Sequence, residues 1–270
     1  MGRKPEVVSA EQTKISPDLT FGVEFEFASP MPSYETAEAL TEAGLETEYE
    51  AYNHEDNGYW KIVQDESVYG HGDYPMELVS PPLRGRVGLE QLERVCSMLQ
   101  DMACVVNASC GLHVHHDARM LDAAAWKLLV KSVLKYEDTI DALFGPDREN
   151  NNYARRMRRY GVSVPEMFSR VDAAWDVDDL YRIWYSRFQK LNLESLEVHG
   201  TVEFRQHGGT LDFCDVAAWV SLTQGLVLRA ASHRKMRLRA TEKPFESLMW
   251  TAGACPAVKR HFALKYAPLY

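Results

Sequence analysis

Residues 21–27 read Phe21-Gly22-Val23-Glu24-Phe25-Glu26-Phe27, with Val23, Phe25 and Phe27 on one side and Glu24 and Glu26 on the other. A period of two is the signature of a strand with one apolar face, and this strand decides how the rest of the chain is read. The same alternation recurs at Met76-Glu77-Leu78-Val79, Leu112-His113-Val114-His115 and Thr201-Val202-Glu203-Phe204-Arg205. Helical spacing appears at Leu92, Val95, Cys96, Leu99, Met102, Ala103 and Val106, predicting a helix that ends near Asn107. A second helix runs from an N-capping Asp122 through Trp126, Leu129 and Val133 to Phe144, stopped by Gly145-Pro146, and a third begins near Asp215 and buries Ala218, Trp219, Leu222 and Leu226. Strands that cluster early and return after a helical middle, without regular strand-helix alternation, predict an α+β fold with a largely antiparallel sheet.

The polar residues on these strands are carboxylates and imidazoles, where a merely solvated face would carry a mixture of Lys, Thr and Ser. Two carboxylates at i and i+2 of a strand sit on one face roughly 7 Å apart, close enough to repel and to share divalent cations. Glu77, just before the strand-ending Pro81-Pro82, adds a third, and His113 and His115 share a face after a glycine turn. Mainly oxygen ligands with an imidazole point to magnesium or manganese ahead of zinc, and magnesium points in turn to phosphates. Neither a Walker loop nor a G-x-G-x-x-G motif is present, so a nucleotide would be held by metals and side chains such as Arg205. His207 extends the Glu203 face, and Gly208-Gly209 would let backbone approach a ligand. His116 points to the apolar side and reads as a core residue, as do Trp126 and Trp219. The run Arg155-Arg156-Met157-Arg158-Arg159 reads as a solvated helix face, and Cys110 has no base that would make it a nucleophile.

The formal charge of -9 excludes general nucleic-acid binding, which needs a basic surface. Five cysteines without C-x-x-C spacing indicate neither a disulfide framework nor a zinc site, so a reducing cytoplasm is expected. The most apolar long stretch, 216–231, carries Gln224 and Arg229 and reads as amphipathic, so no membrane partner is expected. Residues 1–18, polar and interrupted by Pro5 and Pro17, read as a flexible N-terminal arm, and 19–270 as a single domain.

Taken together, F-G-V-E-F-E-F at 21–27, W-K-I-V-Q-D-E-S at 60–67, E-L-V-S-P-P-L at 77–83, C-G-L-H-V-H at 110–115, K-L-N-L at 190–193 and G-T-V-E-F-R-Q-H-G-G-T-L-D at 200–212 resemble the amidoligase family of the carboxylate-amine ligase superfamily, which includes glutamine synthetase and glutamate-cysteine ligase. The resemblance implies a curved, largely antiparallel sheet of the glutamine synthetase catalytic-domain type with helices packed on one side. It implies an ATP-dependent ligase that joins a small-molecule or peptide carboxylate to an amine through an acyl phosphate. Glu24, Glu26, Glu77, His113 and Glu203 would be metal ligands, Glu24, Glu203 and Arg205 catalytic, and His115 and Arg205 in contact with nucleotide or phosphate. Asp65 and Ser67 would line the substrate pocket, and 148–155 loosely follows a family pattern containing Arg, Asn and Tyr. Two rival readings are a metal-dependent amide hydrolase, suggested by His113-Val114-His115 alone, and a non-catalytic binding or assembly protein retaining the fold. The hydrolase reading would need the strand-helix repeats of an amidohydrolase barrel, and this sequence does not show them.

Overall fold

A computed structural model describes residues 8–50, 58–65, 67–69, 74–144, 151–233 and 239–265. The alternating segment becomes β1 (Thr20–Ser29), near the middle of a sheet with β2 (Thr47–Tyr49), β3 (Trp60–Gln64), β4 (Tyr74–Val79), β5 (Leu83–Arg84), β6 (Gly111–Asp117), β7 (Leu191–Asn192) and β8 (Thr201–Gly208). The order is β2-β3-β4-β1-β6-β8-β7, with β5 paired to β1, and every pairing is antiparallel except β2 with β3. The fold is mixed α+β with a largely antiparallel, open sheet.

The apolar positions of these strands form one face. Phe25, Phe27, Leu78, Leu112, Val114 and Phe204 are almost fully buried in the same core as α2 (Gly85–Asp101), α3 (Ala123–Phe144) and α7 (Phe213–Ala231). Asp122 caps α3 through Oδ1, which accepts the Ala125 N–H at 2.8 Å, and Asp212 caps α7 by accepting from Cys214. The Gly145-Pro146 stop lies outside the described residues. Helix α2 ends earlier than its periodicity predicts. Ala103 is left-handed (φ 57°) and the Cys104 N–H returns to the Leu99 carbonyl at 3.0 Å, a Schellman-type stop. The released chain then bridges Val105 to Ala28.

The shorter helices are α1 (Ser33–Glu42), α4 (Val164–Ala173), α5 (Val177–Trp184), α6 (Ser195–His199), α8 (Pro244–Ala252) and α9 (Pro256–Lys265). Among the described residues, no helix is long and apolar enough to cross a membrane. Residues 8–18, expected within a flexible arm, instead lie against α7. Val8 and Ala10 are buried, the Ser16 N–H donates to Gln224 Oε1 at 2.6 Å, and Ser221 Oγ donates to the Lys14 carbonyl at 2.7 Å. The polar residues that make 216–231 look amphipathic are in part the anchors of this segment.

Candidate active site

The sheet's other face is polar because of its register. Antiparallel pairing sets Glu26 opposite Glu77, Glu24 opposite His113, and His115 opposite Glu203. Directly opposed residues share a face with Cβ atoms about 4.5–5.5 Å apart, so alternation on four strands converges on one cluster. His113 sits at its centre, with Nδ1 3.0 Å from Glu24 Oε2 and Nε2 3.3 Å from Glu26 Oε1. His115 Nε2 lies 3.0 Å from Glu24 Oε1, while its Nδ1 is 2.9 Å from Thr201 Oγ1 and 3.2 Å from Ser195 Oγ. Glu26 Oε2 accepts the Gly111 N–H at 2.5 Å. A Cβ at residue 111 would lie 2.8 Å from His113 Nε2, so only glycine lets the backbone come this close. Arg205 donates from Nη1 to Glu203 Oε1 and from Nε to the Tyr153 carbonyl at 2.8 Å.

The electrostatics divide the carboxylates. Burial pushes Glu77 well above the usual carboxylate range, and the charges of Glu24 and Glu26 push it further. Burial would also raise Glu24, but His115 and His113 outweigh it and hold Glu24 well below its ordinary value. For Glu203 burial is outweighed by Arg205 and His115, leaving it lowered. His115 is raised overall, because Glu24 and Glu203 outweigh the burial that opposes its charge.

Every site residue named from the sequence lines one cleft of about 260 Å³, including Asp65 and Ser67 beyond the end of β3. The Ser67 N–H donates to Asp65 Oδ1 at 2.8 Å; Glu66, between them, lies outside the described residues. Glu24, Glu77 and His113 offer ligand atoms within 4.8 Å of one another, and Glu24, His115 and Glu203 form a second such set. A divalent cation bonding oxygen at about 2.0–2.6 Å can bridge atoms so spaced, and a carboxylate-rich set with imidazole suits magnesium or manganese. Glu26 stands outside both sets, bound to Gly111 and His113.

The structure also adds residues to the site. Asn192 Nδ2 donates to Glu203 Oε2 at 2.6 Å, fixing the carboxylate whose other oxygen faces Arg205. The strand of Asn192 is too short to show a period, and the sequence marked this residue only as part of the K-L-N-L motif at 190–193, with no role attached. Tyr153, Arg187 and Phe188 form an outer wall, with the Arg187 guanidinium 5.1 Å from the Phe188 ring centre. Residues 148–150 of the loosely matched segment lie outside the described residues.

Some expectations are corrected. His207 faces the helices, its ring 4.3 Å from that of Phe144, because the register shifts between β6 and β8. Gly209 packs on Cys110, where a Cβ would come within 2.4 Å of the Cys110 Cβ, so its close approach serves packing. The Arg155–Arg159 run is not helical, and although Arg155 and Arg159 are exposed as a solvated face would be, Arg156 and Arg158 turn to α3. Arg156 lies 3.8 Å from Asp141 and bonds Asp138, and Arg158 Nε lies 3.2 Å from Glu137, all on α3. His116 is a core residue as expected, bonded to Thr223 Oγ1 at 2.8 Å, and burial lowers its pKa to about 3. Burial raises the Cys110 thiol, in keeping with an inert cysteine.

No curated protein matches the chain in sequence. Residues 17–227, which hold all of the cluster, match the family described as "Putative amidoligase enzyme", and the chain belongs to that family of ligases that form amide bonds.

Proposed function

We propose that this protein is an ATP- and divalent-metal-dependent carboxylate-amine ligase that works through an acyl phosphate and releases ADP and phosphate. The observation that carries the proposal is the pair of ligand sets sharing Glu24, with Arg205 braced beside Glu203 at their edge. Glu24, Glu77, Glu203, His113 and His115 would hold the metal, and Glu26 would orient His113. Magnesium or manganese bound there would neutralise phosphate oxygens and align them for in-line transfer. An oxygen of the donor carboxylate attacks the γ-phosphorus of ATP, the bond to ADP breaks, and the amine then displaces phosphate from the acyl carbon. Arg205 is placed to meet charge on the phosphoryl group in flight. Its two bonds, to Glu203 and to the Tyr153 carbonyl, hold the guanidinium fork in one orientation. Asp65 and Ser67 would contact the substrates, a small-molecule or peptide carboxylate and amine. We place the fold with the glutamine synthetase catalytic domain, take residues 19–270 as one domain, and expect a cytoplasmic protein, in keeping with free cysteines.

Hydroxylamine tests the reaction type because it is small and nucleophilic at neutral pH. With ATP, magnesium and a panel of amino-acid and peptide carboxylates, hydroxamate should form in step with ADP. AMP release would indicate an adenylate-forming enzyme, and amide cleavage without ATP a hydrolase.

A further inference from the structure

From Val114 to Leu112 the chain of β6 advances two residues, while β8 advances three, from Phe204 to His207. The extra residue is a β-bulge, a device that re-aims side chains and interrupts the ladder, so something must hold it. Upstream of it Glu203 and Arg205 keep the cleft face. Downstream, Gln206 and His207 both turn to the helices, Gln206 Nε2 bonding Asp141 Oδ1 at 3.3 Å and the His207 ring lying 5.7 Å from that of Trp219.

Asp141, on α3, also holds the bulge from its other flank. The Arg205 N–H donates to the Lys190 carbonyl at 2.9 Å, and Lys190, fully buried, donates from Nζ to Asp141 Oδ2 at 2.5 Å. One carboxylate therefore takes the residue after Arg205 with one oxygen and, with the other, the residue that receives the Arg205 N–H. The Lys190 N–H donates in turn to the Arg155 carbonyl at 2.9 Å, in the segment whose Tyr153 carbonyl accepts from Arg205. Asp141 itself lies behind the sheet and does not line the cleft.

We infer that Asp141, through Lys190 and Gln206, is a positioning residue that sets the aim of Arg205 from the far side of the sheet. The inference rests on the ligase reading for its effect on turnover, but not for its effect on the bulge. Asp141→Asn keeps size and an acceptor while weakening the hold on Lys190. Asp141→Leu with Lys190→Met removes both charges at similar volume, which a buried pair tolerates better than loss of one partner. If Arg205 acts on the phosphoryl group in flight, misaiming it should lower kcat at least about tenfold and leave KM for ATP within about threefold. In an Arg205→Lys background Asp141→Asn should add no more than about a twofold loss, because the two changes remove the same interaction.

Hydroxamate and ADP formation would be measured in the full-length protein, its two single variants, their combination and the Leu/Met double variant, at a temperature where all are folded. A kcat for Asp141→Asn within twofold of the parent, or a loss that multiplies in full with Arg205→Lys, would overturn the inference; so would parental turnover in the Leu/Met variant. If the parent makes no hydroxamate, the ligase reading fails on its own, and amide hydrogen exchange then decides the positioning claim. Exchange across 204–207 should quicken in Asp141→Asn while 111–117 of β6 stays protected. Unchanged exchange at 204–207 would overturn it.

Discussion

Two clusters of charge, buried or half-buried except for the exposed Asp138, lie on opposite sides of the same sheet, and they are balanced differently. Behind it, Glu137, Asp138 and Asp141 face Arg156, Arg158 and Lys190, so the chain supplies its own cations. In front, Glu24, Glu26, Glu77 and Glu203 share Arg205 with two imidazoles, and Glu77 is driven toward its protonated form. Charges balanced within the chain fasten α3 to the segment that supports Arg205. Charges left in surplus make a receptor for cations from outside.

The largest effect that would break this comparison is on turnover. Glu24→Gln or Glu203→Gln should lower kcat by about 10³-fold, the several kcal/mol that a metal's charge contributes to the transition state. Both variants should stay folded with somewhat lowered melting temperatures, read by scanning calorimetry, because the imidazoles and Arg205 hold each charge below its ordinary pKa; full retained activity would contradict the ligand assignment. Behind the sheet the outcome should invert. Glu137→Ala strands the N–H groups of Met157 and Arg158 and leaves the Arg158 guanidinium with Asp138 as its remaining carboxylate. It should cost about 3–5 kcal/mol in denaturant titration, the penalty for breaking a buried pair, and a loss below about 1 kcal/mol would refute the anchoring role.

Smaller effects sharpen the contrast. Magnesium with a non-hydrolysable ATP analogue should stabilise the protein by about 2–3 kcal/mol at a hundredfold excess over Kd, more than either alone, and Glu203→Gln should abolish that gain. A thermal-shift titration reads it. His116 supplies a pH test independent of ligand. Its folded pKa of about 3 lies below the unfolded value, so its stability is present above about pH 6.5 and lost as pH falls toward 3, amounting to about 2 kcal/mol between pH 6.5 and 5. His116→Gln should flatten that part of the stability-pH curve; an unchanged slope would assign it to other groups.

The strands carrying the cluster were legible because period-two alternation fixes both the strand and its face, and Glu24, Glu26, His113, His115 and Glu203 follow from it directly. The end of α2 was not, because Ala103 takes the left-handed conformation without the glycine that would announce it. Short α8 and α9, and the packing of residues 8–18 on α7, depend on tertiary contacts that no local period encodes. The bulge is the instructive miss. Arg205-Gln206-His207 reads as unbroken alternation, and only the partner strand reveals the extra residue that sends His207 into the core. The rear cluster was hidden for a related reason, since Asp141 and Lys190 meet across 49 residues of sequence.

The central claim is that a donor carboxylate is activated by direct attack on the γ-phosphorus of ATP. Once hydroxylamine has identified a usable donor, that donor labelled with ¹⁸O in both carboxylate oxygens would be turned over with ATP and magnesium, and the released phosphate analysed by mass. The account predicts one labelled oxygen per phosphate, formed in step with ADP. Unlabelled phosphate beside amide product, or label appearing in AMP, would contradict it.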